Sequence, residues 1–208
     1  EISEFLQHHH IDYLGVAYAD EGMDLRKNGI TTPIIVMNPE QHSYNAIIEY
    51  NLEPEIYSFR VLELFWNALN ELGVDKQYPI HIKLETGMHR LGFKSEELML
   101  LAEKLNTMNL KVASIFSHLS TSDMSDERDY ALSQIEVFSC NTDVLINALG
   151  YRPVLHILNS AGITSFTEYQ FDMVRIGIGM VGISNDPAVK KQLQNAVVFK
   201  TVISQISH

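Results

Sequence analysis

Cysteine is nearly absent. Cys140 stands alone among 208 residues, so no internal disulfide framework can hold the fold, and a reducing compartment suits the chain. Cys140 itself reads as a small residue on a helix. Long apolar runs are lacking too: none approaches the roughly 20 residues that cross a bilayer. The opening Glu1-Ile2-Ser3-Glu4 has neither the basic start nor the apolar core of a secretory signal. No membrane partner and a cytoplasmic location are therefore expected. No basic run is present, and 26 acidic against 15 basic residues give a formal net charge of -11. Such a chain has nothing with which to neutralise a phosphate backbone, which argues against a nucleic-acid partner. An initiator methionine is missing, which predicts a piece of a longer protein. His8-His9-His10 are too few and too adjacent to surround one metal ion, and read as solvated surface at a helix end.

What is present is an alternation of short apolar strands with longer amphipathic segments, and a hydrophobic content of 46% supports one large core. Strands are expected at Tyr13 to Ala17, Pro33 to Met37, Glu55 to Ser58, Ile80 to Glu85, Lys111 to Ser117, Val154 to Ile157 and Met173 to Ile176. Helices are expected at Asp20 to Asn28, Glu40 to Tyr50, Val61 to Leu72, Ser95 to Asn106 with Ser95 as its cap, and Asp126 to Leu149, with Gly29, Gly73 and Gly150 as stops. Strands separated by helices imply parallel β-α units. The fold class is thus α/β, an incomplete (β/α)8-type barrel: seven strands are one short of the eight that close it. Residues 1–190 form this domain. Over 191–208 the rhythm changes, with Val197, Phe199, Thr201 and Ile203 alternating and no helix following, which predicts the start of a C-terminal β-domain.

Within the fourth strand, alternation sets Ile80, Ile82 and Leu84 on one face and His81, Lys83 and Glu85 on the other. A lysine inside a core strand is costly unless it is paired or chemically altered. A lysine snorkelling beside an acidic neighbour is the alternative, and the segment alone leaves both open. Further polar residues stand where later strands end, at the rim on which such barrels hold ligands: Arg90 after the fourth, Ser117-His118 after the fifth, His156 to Gly162 after the sixth, Arg175 to Gly179 after the seventh. Serine, asparagine and successive glycines there fit a phosphate cradle built from hydroxyls and closely approached backbone amides. Gly177-x-Gly179 alone signals no more than a tight turn.

Taken together, these motifs resemble the barrel domain of alanine racemases, fold-type III enzymes that use pyridoxal 5'-phosphate. The resemblance rests on His81-Ile82-Lys83-Leu84-Glu85-Thr86-Gly87-Met88-His89-Arg90-Leu91-Gly92, Phe116-Ser117-His118-Leu119-Ser120-Thr121-Ser122-Asp123, His156-Ile157-Leu158-Asn159-Ser160-Ala161 and Val174-Arg175-Ile176-Gly177-Ile178-Gly179-Met180-Val181-Gly182. It implies that Lys83 is the lysine many members carry as a carbamate that holds Arg90. Arg90 would donate to the cofactor's phenolic oxygen and the substrate carboxylate, a task for a planar, permanently charged fork. His118 would lie against the cofactor ring, and Asn159, Ser160, Gly177 and Ile178 would serve the phosphate. His156 would support Arg175, which would face the pyridine nitrogen and leave it largely unprotonated.

The resemblance also implies two catalytic bases that do not occur in these residues. The Schiff-base lysine belongs to a first barrel strand with a segment like Lys-Ala-Asn-Ala-Tyr-Gly, and the tyrosine base belongs to the C-terminal β-domain and acts across a homodimer interface. Tyr13, Tyr57 and Tyr169 match neither position. The expectation is a barrel fragment, inactive alone, of a parent that interconverts L- and D-alanine for peptidoglycan synthesis. That parent could be fused to another cell-wall enzyme, as in some relatives. Departures from the family pattern are Glu85, where aspartate is usual, and His89, where a small or amide residue is more frequent. The alternatives are another fold-type III enzyme, either a racemase of a different small amino acid or a decarboxylase, and a non-catalytic domain that binds pyridoxal 5'-phosphate. Lys83 with Arg90 argues against the decarboxylase.

Overall fold

A computed structural model describes residues 1–75 and 77–206. Among the described residues, six parallel strands follow one another in sequence order across a single curled sheet, as expected when each strand returns through a helix. They are β1 (Leu14–Val16), β2 (Ile34–Val36), β3 (Glu53–Ile56), β4 (Tyr78–Lys83), β5 (Leu110–Phe116) and β6 (Val154–His156). The helices are α1 (Ile2–His8), α2 (Ala19–Lys27), α3 (Tyr44–Glu49), α4 (Phe59–Glu71), α5 (Leu98–Thr107), α6 (Arg128–Leu149), the short α7 (Ser160–Ser165) after β6, and α8 (Pro187–Lys190). The sheet is a half-barrel with helices on its convex side.

Helix signals act only in part where the sequence puts them, and Ser58, expected to end a strand, instead starts a helix. Ser58 accepts the Val61 amide at 3.3 Å and starts α4, whose Val61, Leu62, Phe65, Ala68 and Leu69 recur at helical spacing and are buried against the sheet. Gly150 ends α6 in the left-handed region at φ 76. Ser95 does not cap its helix: the Lys94 amide donates to the Glu97 carboxylate at 2.8 Å, opening a 3-10 turn over Ser95–Glu97. The Glu53–Ile56 strand lies two residues earlier than expected, because Ser58 serves the following helix and not the sheet.

The expected strand at Met173 to Ile176 does not form. Asp172 is the reason: its carboxylate accepts the Leu155 amide at 2.9 Å, occupying the edge donor that a further parallel strand would need. The segment runs beside β6 through single bonds, Met173 N to Leu155 O at 3.3 Å and Arg175 N to Leu158 O at 3.0 Å. Residues 193–206 form neither strand nor helix, and Val198, Phe199, Val202 and Ile203 are exposed. Residues 207 and 208 of the expected β-domain segment lie outside the described residues.

Register decides which side chains share the concave side. Glu55 is opposite His81, His81 opposite Ser114, Lys83 opposite Phe116, and Phe116 opposite His156. These residues line the interior in one row, while Ile56, Ile80, Ile82, Ile115 and Leu155 face the helices in the aliphatic core. A register shift between Ile80 and His81 interrupts the alternation along β5, so that Val112, opposite Ile80, joins the aliphatic core while Ser114, opposite His81, faces the interior.

Candidate functional site

The interior of the half-barrel is polar in a way few cores are. Glu55, His81, Lys83, Ser114, Ser117 and His156 are all buried, so each must find a partner or forfeit its hydration. Arg175 organises the site. Its guanidinium meets His156 Nδ1 at 2.6 Å and donates to the carbonyls of Ser117 at 2.6 Å, Ile157 at 3.1 Å and His156 at 3.3 Å, with His118 Nδ1 at 3.4 Å. Although part of its surface is open, it is densely surrounded. Desolvation lowers its pKa to about 10 against a smaller opposing effect of Glu55, so it remains a cation at neutral pH.

Behind Arg175 the bonds continue. His156 Nε2 lies 3.0 Å from Ser114 Oγ, Ser114 Oγ lies 2.6 Å from His81 Nδ1, and His81 Nε2 lies 2.8 Å from Glu53 Oε2 at the rim of the sheet. Burial first, then Arg175 and His81, hold His156 well below the ordinary imidazole pKa. His118 is lowered to about 4 by desolvation and then by the positive charges of Arg175, Arg90 and Lys83. Both imidazoles are neutral at physiological pH.

Lys83 Nζ lies 2.8 Å from Glu55 Oε1, with side chains 6% and 0% exposed. The pair is buried, and both fields contribute: burial raises the Glu55 pKa, while Lys83 and, more distantly, Arg90 and Arg175 oppose the rise. Arg90 sits apart on an exposed turn with no ion pair among the described residues. That turn is a clasp between Lys83 and Phe93: Phe93 N donates to Lys83 O and Glu85 N to Phe93 O, both at 2.9 Å. The Glu85 carboxylate accepts the Gly87 and Arg90 amides. Burial would raise its pKa, but backbone amides of His89, Gly87 and Arg90 outweigh this and lower it.

At the rim beyond β6, Asn159 caps α7 by accepting the Gly162 amide at 3.0 Å, and also accepts the Ser122 hydroxyl at 2.7 Å, so its side-chain oxygen is committed within the protein. Ser160 Oγ accepts the amides of Gly177 at 2.9 Å and Gly179 at 3.1 Å, leaving its hydroxyl proton free to donate. The Ile178 amide between them opens a 3-10 turn and has no intrahelical carbonyl to meet. Apart from its two chain neighbours, nothing among the described residues lies within 4 Å of where a Cβ at Gly177 would stand. These donors around open space fit an anionic group such as a phosphate, and the Arg175 fork beside neutral His118 fits the edge of a heteroaromatic ring.

The structure thus gathers His118, His156 and Arg175 in one network and sets Ser160, Gly177 and Ile178 together at the adjoining rim. Glu55, Glu53, His81 and Ser114 were not singled out from the sequence as site residues, whereas Ser117 was read only as a polar residue at a strand end. Period-two alternation from Lys83 across the register to Glu55 was the signal that could have found the first. Cys140 is exposed on α6. Among the described residues no cluster of three or more His, Cys, Asp or Glu is placed to hold a metal, and no helix is long and apolar enough to cross a membrane.

Residues 1–185 match the sequence pattern of the family described as "Alanine racemase, N-terminal domain". The chain is 34% identical to alanine racemase 1 of Oceanobacillus iheyensis over 194 residues, covering 91% of this chain and 51% of that protein. It is 36% identical to the alanine racemase of Thermodesulfovibrio yellowstonii over 172 residues, covering 83% and 45%. Among solved structures, the alanine racemase of Clostridium difficile 630 superposes with a TM-score of 0.84 at 28% identity, covering 93% of this chain and 51% of that one. The same racemase has been solved in complex with cycloserine. The chain spans about half the length of the curated relatives it matches.

Proposed function

From the premise that this chain belongs to the alanine racemase family, we propose that it is the barrel portion of a pyridoxal 5'-phosphate-dependent enzyme that interconverts L- and D-alanine. The observation that carries this reading is Arg175. A charged fork fixed by His156 and three carbonyls would be able to donate to a ring nitrogen without protonating it at neutral pH. The cofactor, when bound, supplies an electron-withdrawing ring that acidifies the α-C–H of an amino acid.

Each residue of this chain then has a task. Ser160 would donate its hydroxyl proton to a phosphate oxygen and the Ile178 amide would donate beside it, with Gly177 leaving the room and Asn159 shaping the approach. His118, neutral and half-buried, would pack on the ring without adding charge to it. Arg90, whose guanidinium has no ion pair among the described residues, would bind the substrate carboxylate. Donating to the ring nitrogen without protonating it, Arg175 would leave the ring a weak electron sink, which would favour return of a proton to the α-carbon over transfer of the amino group.

The lysine and tyrosine bases of this reading would come from the rest of the parent, the tyrosine across a homodimer from a C-terminal β-domain that residues 191–208 begin. A role in peptidoglycan synthesis, a cytoplasmic location and fusion to another cell-wall enzyme complete the reading. It is tested on the full-length protein by circular dichroism of L- and D-alanine with cofactor added, alongside a panel of small amino acids. Equal approach to racemic alanine from both sides is expected. Cofactor binding without alanine racemisation, or preference for another substrate, would overturn the assignment.

A further inference from the structure

The Glu55–Lys83 contact at the centre of the half-barrel fixes a charge state. The two side chains are the most deeply buried ion pair in the described residues, 0% and 6% exposed, with Nζ and Oε1 2.8 Å apart. Neither oxygen of Glu55 has a well-aligned hydrogen-bond donor among the described residues, so the carboxylate depends on Lys83 for its compensation. Lys83 has Phe116 as its other neighbour, with the ring centroid 5.7 Å from Nζ. Arg90 and Arg175 are the other cations whose fields reach Glu55.

A buried lysine can be an ammonium beside an anion, a neutral amine, or a carbamate formed with carbon dioxide. Carbamylation converts R-NH3+ and CO2 into R-NH-COO- and two protons: the ammonium first loses a proton, the amine nitrogen forms a bond to the carbon of CO2, one C=O π bond breaks to give the new carboxylate, and the second proton leaves nitrogen. Glu55 opposes both halves of that reaction. It stabilises the proton on Nζ, and it would stand in contact with the product as a second buried anion, where like charges at about 3 Å cannot both stay ionised.

We propose that Glu55 is the fixed counter-anion of this site: it holds Lys83 as an unmodified ammonium and itself supplies the negative charge that a lysine carbamate would otherwise present toward Arg90. This deepens the proposed site but its readout does not depend on racemisation or on bound cofactor. With Glu55 made neutral, the desolvated Lys83 loses its stabilising partner, and a carbamate would gain Arg90 and Arg175 as counter-cations without a competing carboxylate.

The test is 13C NMR of the full-length protein equilibrated with 13C-bicarbonate, in the wild type, in Glu55→Gln, and in Glu55→Gln/Lys83→Ala as the assignment control. The expected result is no Lys83-dependent carbamate carbonyl in the wild type and a stoichiometric one in Glu55→Gln that vanishes in the double variant. Should the glutamine variant not fold, Glu55→Ala leaves room for the carbamate and serves in its place. A carbamate on Lys83 in the wild type overturns the proposal whatever the variants do. Absence of label in the folded neutral variants overturns it as well, since Glu55 would then not be what keeps Lys83 unmodified. Failure of the alanine assay would leave either result intact.

Discussion

The Arg175 guanidinium donates to His156 Nδ1 across 2.6 Å, and because arginine has no acceptor, this contact sets the direction of every bond behind it. His156 must carry its proton on Nε2 and give it to Ser114 Oγ, the Ser114 hydroxyl must donate to His81 Nδ1, and His81 Nε2–H must donate to the Glu53 carboxylate. Four side chains on four neighbouring strands thus orient one cation. In full-length protein, His156→Ala should leave a buried Arg175 donor unsatisfied, a loss of about 1–3 kcal/mol. Cofactor affinity and kcat/KM for alanine should together fall roughly 10- to 100-fold. His156→Asn, whose side-chain oxygen can accept, should recover part of this; equal losses for both variants would show that the nitrogen acceptor is irrelevant.

The neutral imidazoles make stability pH-dependent in a defined window. Burial and the neighbouring cations lower the pKa of folded His118 to about 4, below the ordinary imidazole value of 6.5, so between these values the unfolded chain takes up a proton that the folded chain declines. Stability is therefore full above about 6.5, falls as pH drops through the window, and loses nothing further from this group below about 4; the whole effect is on the order of 3 kcal/mol. His156 acts in the same direction. Urea unfolding of wild type and His118→Gln at neutral pH and at pH about 5 should show a smaller acid loss in the variant. Parallel losses would mean that His118 titrates normally in the folded protein.

How much of this was legible in the sequence depends on the kind of signal. Local, periodic features read well: Gly150 ends its helix and the aliphatic face of β4 is where alternation puts it, whereas Ser58, expected to end a strand, starts a helix. The strand expected at Met173 to Ile176 reads as apolar and β-branched, yet Asp172 diverts the edge amide of β6, and a side chain competing for a ladder bond leaves no trace in a hydrophobic pattern. Arg175 and His156 stood out as polar residues at expected strand ends, and they meet at 2.6 Å although the strand that was to carry Arg175 does not form. Glu55 was read only as the start of a strand, because its meaning comes from Lys83, 28 positions later. Partnerships across strands need the register, and the register needs the fold.

The buried pair itself should behave as a unit in unfolding. Removing one member, as in Lys83→Met or Glu55→Gln, leaves the other uncompensated, and a loss of about 3–5 kcal/mol is expected for the lysine change. The double variant Glu55→Gln/Lys83→Met replaces the ion pair with groups of similar volume and should lie within about 2 kcal/mol of the wild type. Urea denaturation of the four proteins measures the coupling. Simple additivity of the single losses would mean that the 2.8 Å contact contributes no interaction energy.

Two glycines of the rim should separate stability from binding. At Gly92, φ is 134 and a Cβ would stand 2.5 Å from both Glu85 N and Leu84 C, backbone atoms of the clasp that carries Arg90. Gly92→Ala must open that clasp, and a loss on the order of 2–4 kcal/mol is expected, with substrate binding falling as Arg90 is displaced. At Gly177 nothing stands within 4 Å of the added carbon, so Gly177→Ala should change stability by less than about 1 kcal/mol. If Ser160, Ile178 and Gly177 together receive a phosphate, that same methyl fills the space the phosphate needs. Pyridoxal 5'-phosphate should then bind more weakly, while pyridoxal, lacking the phosphate, should bind as it does to the wild type. Equal affinity of Gly177→Ala and wild type for the phosphorylated form would move the anion site elsewhere on the rim, because a cradle that tolerates a methyl group at its centre is not holding an anion there.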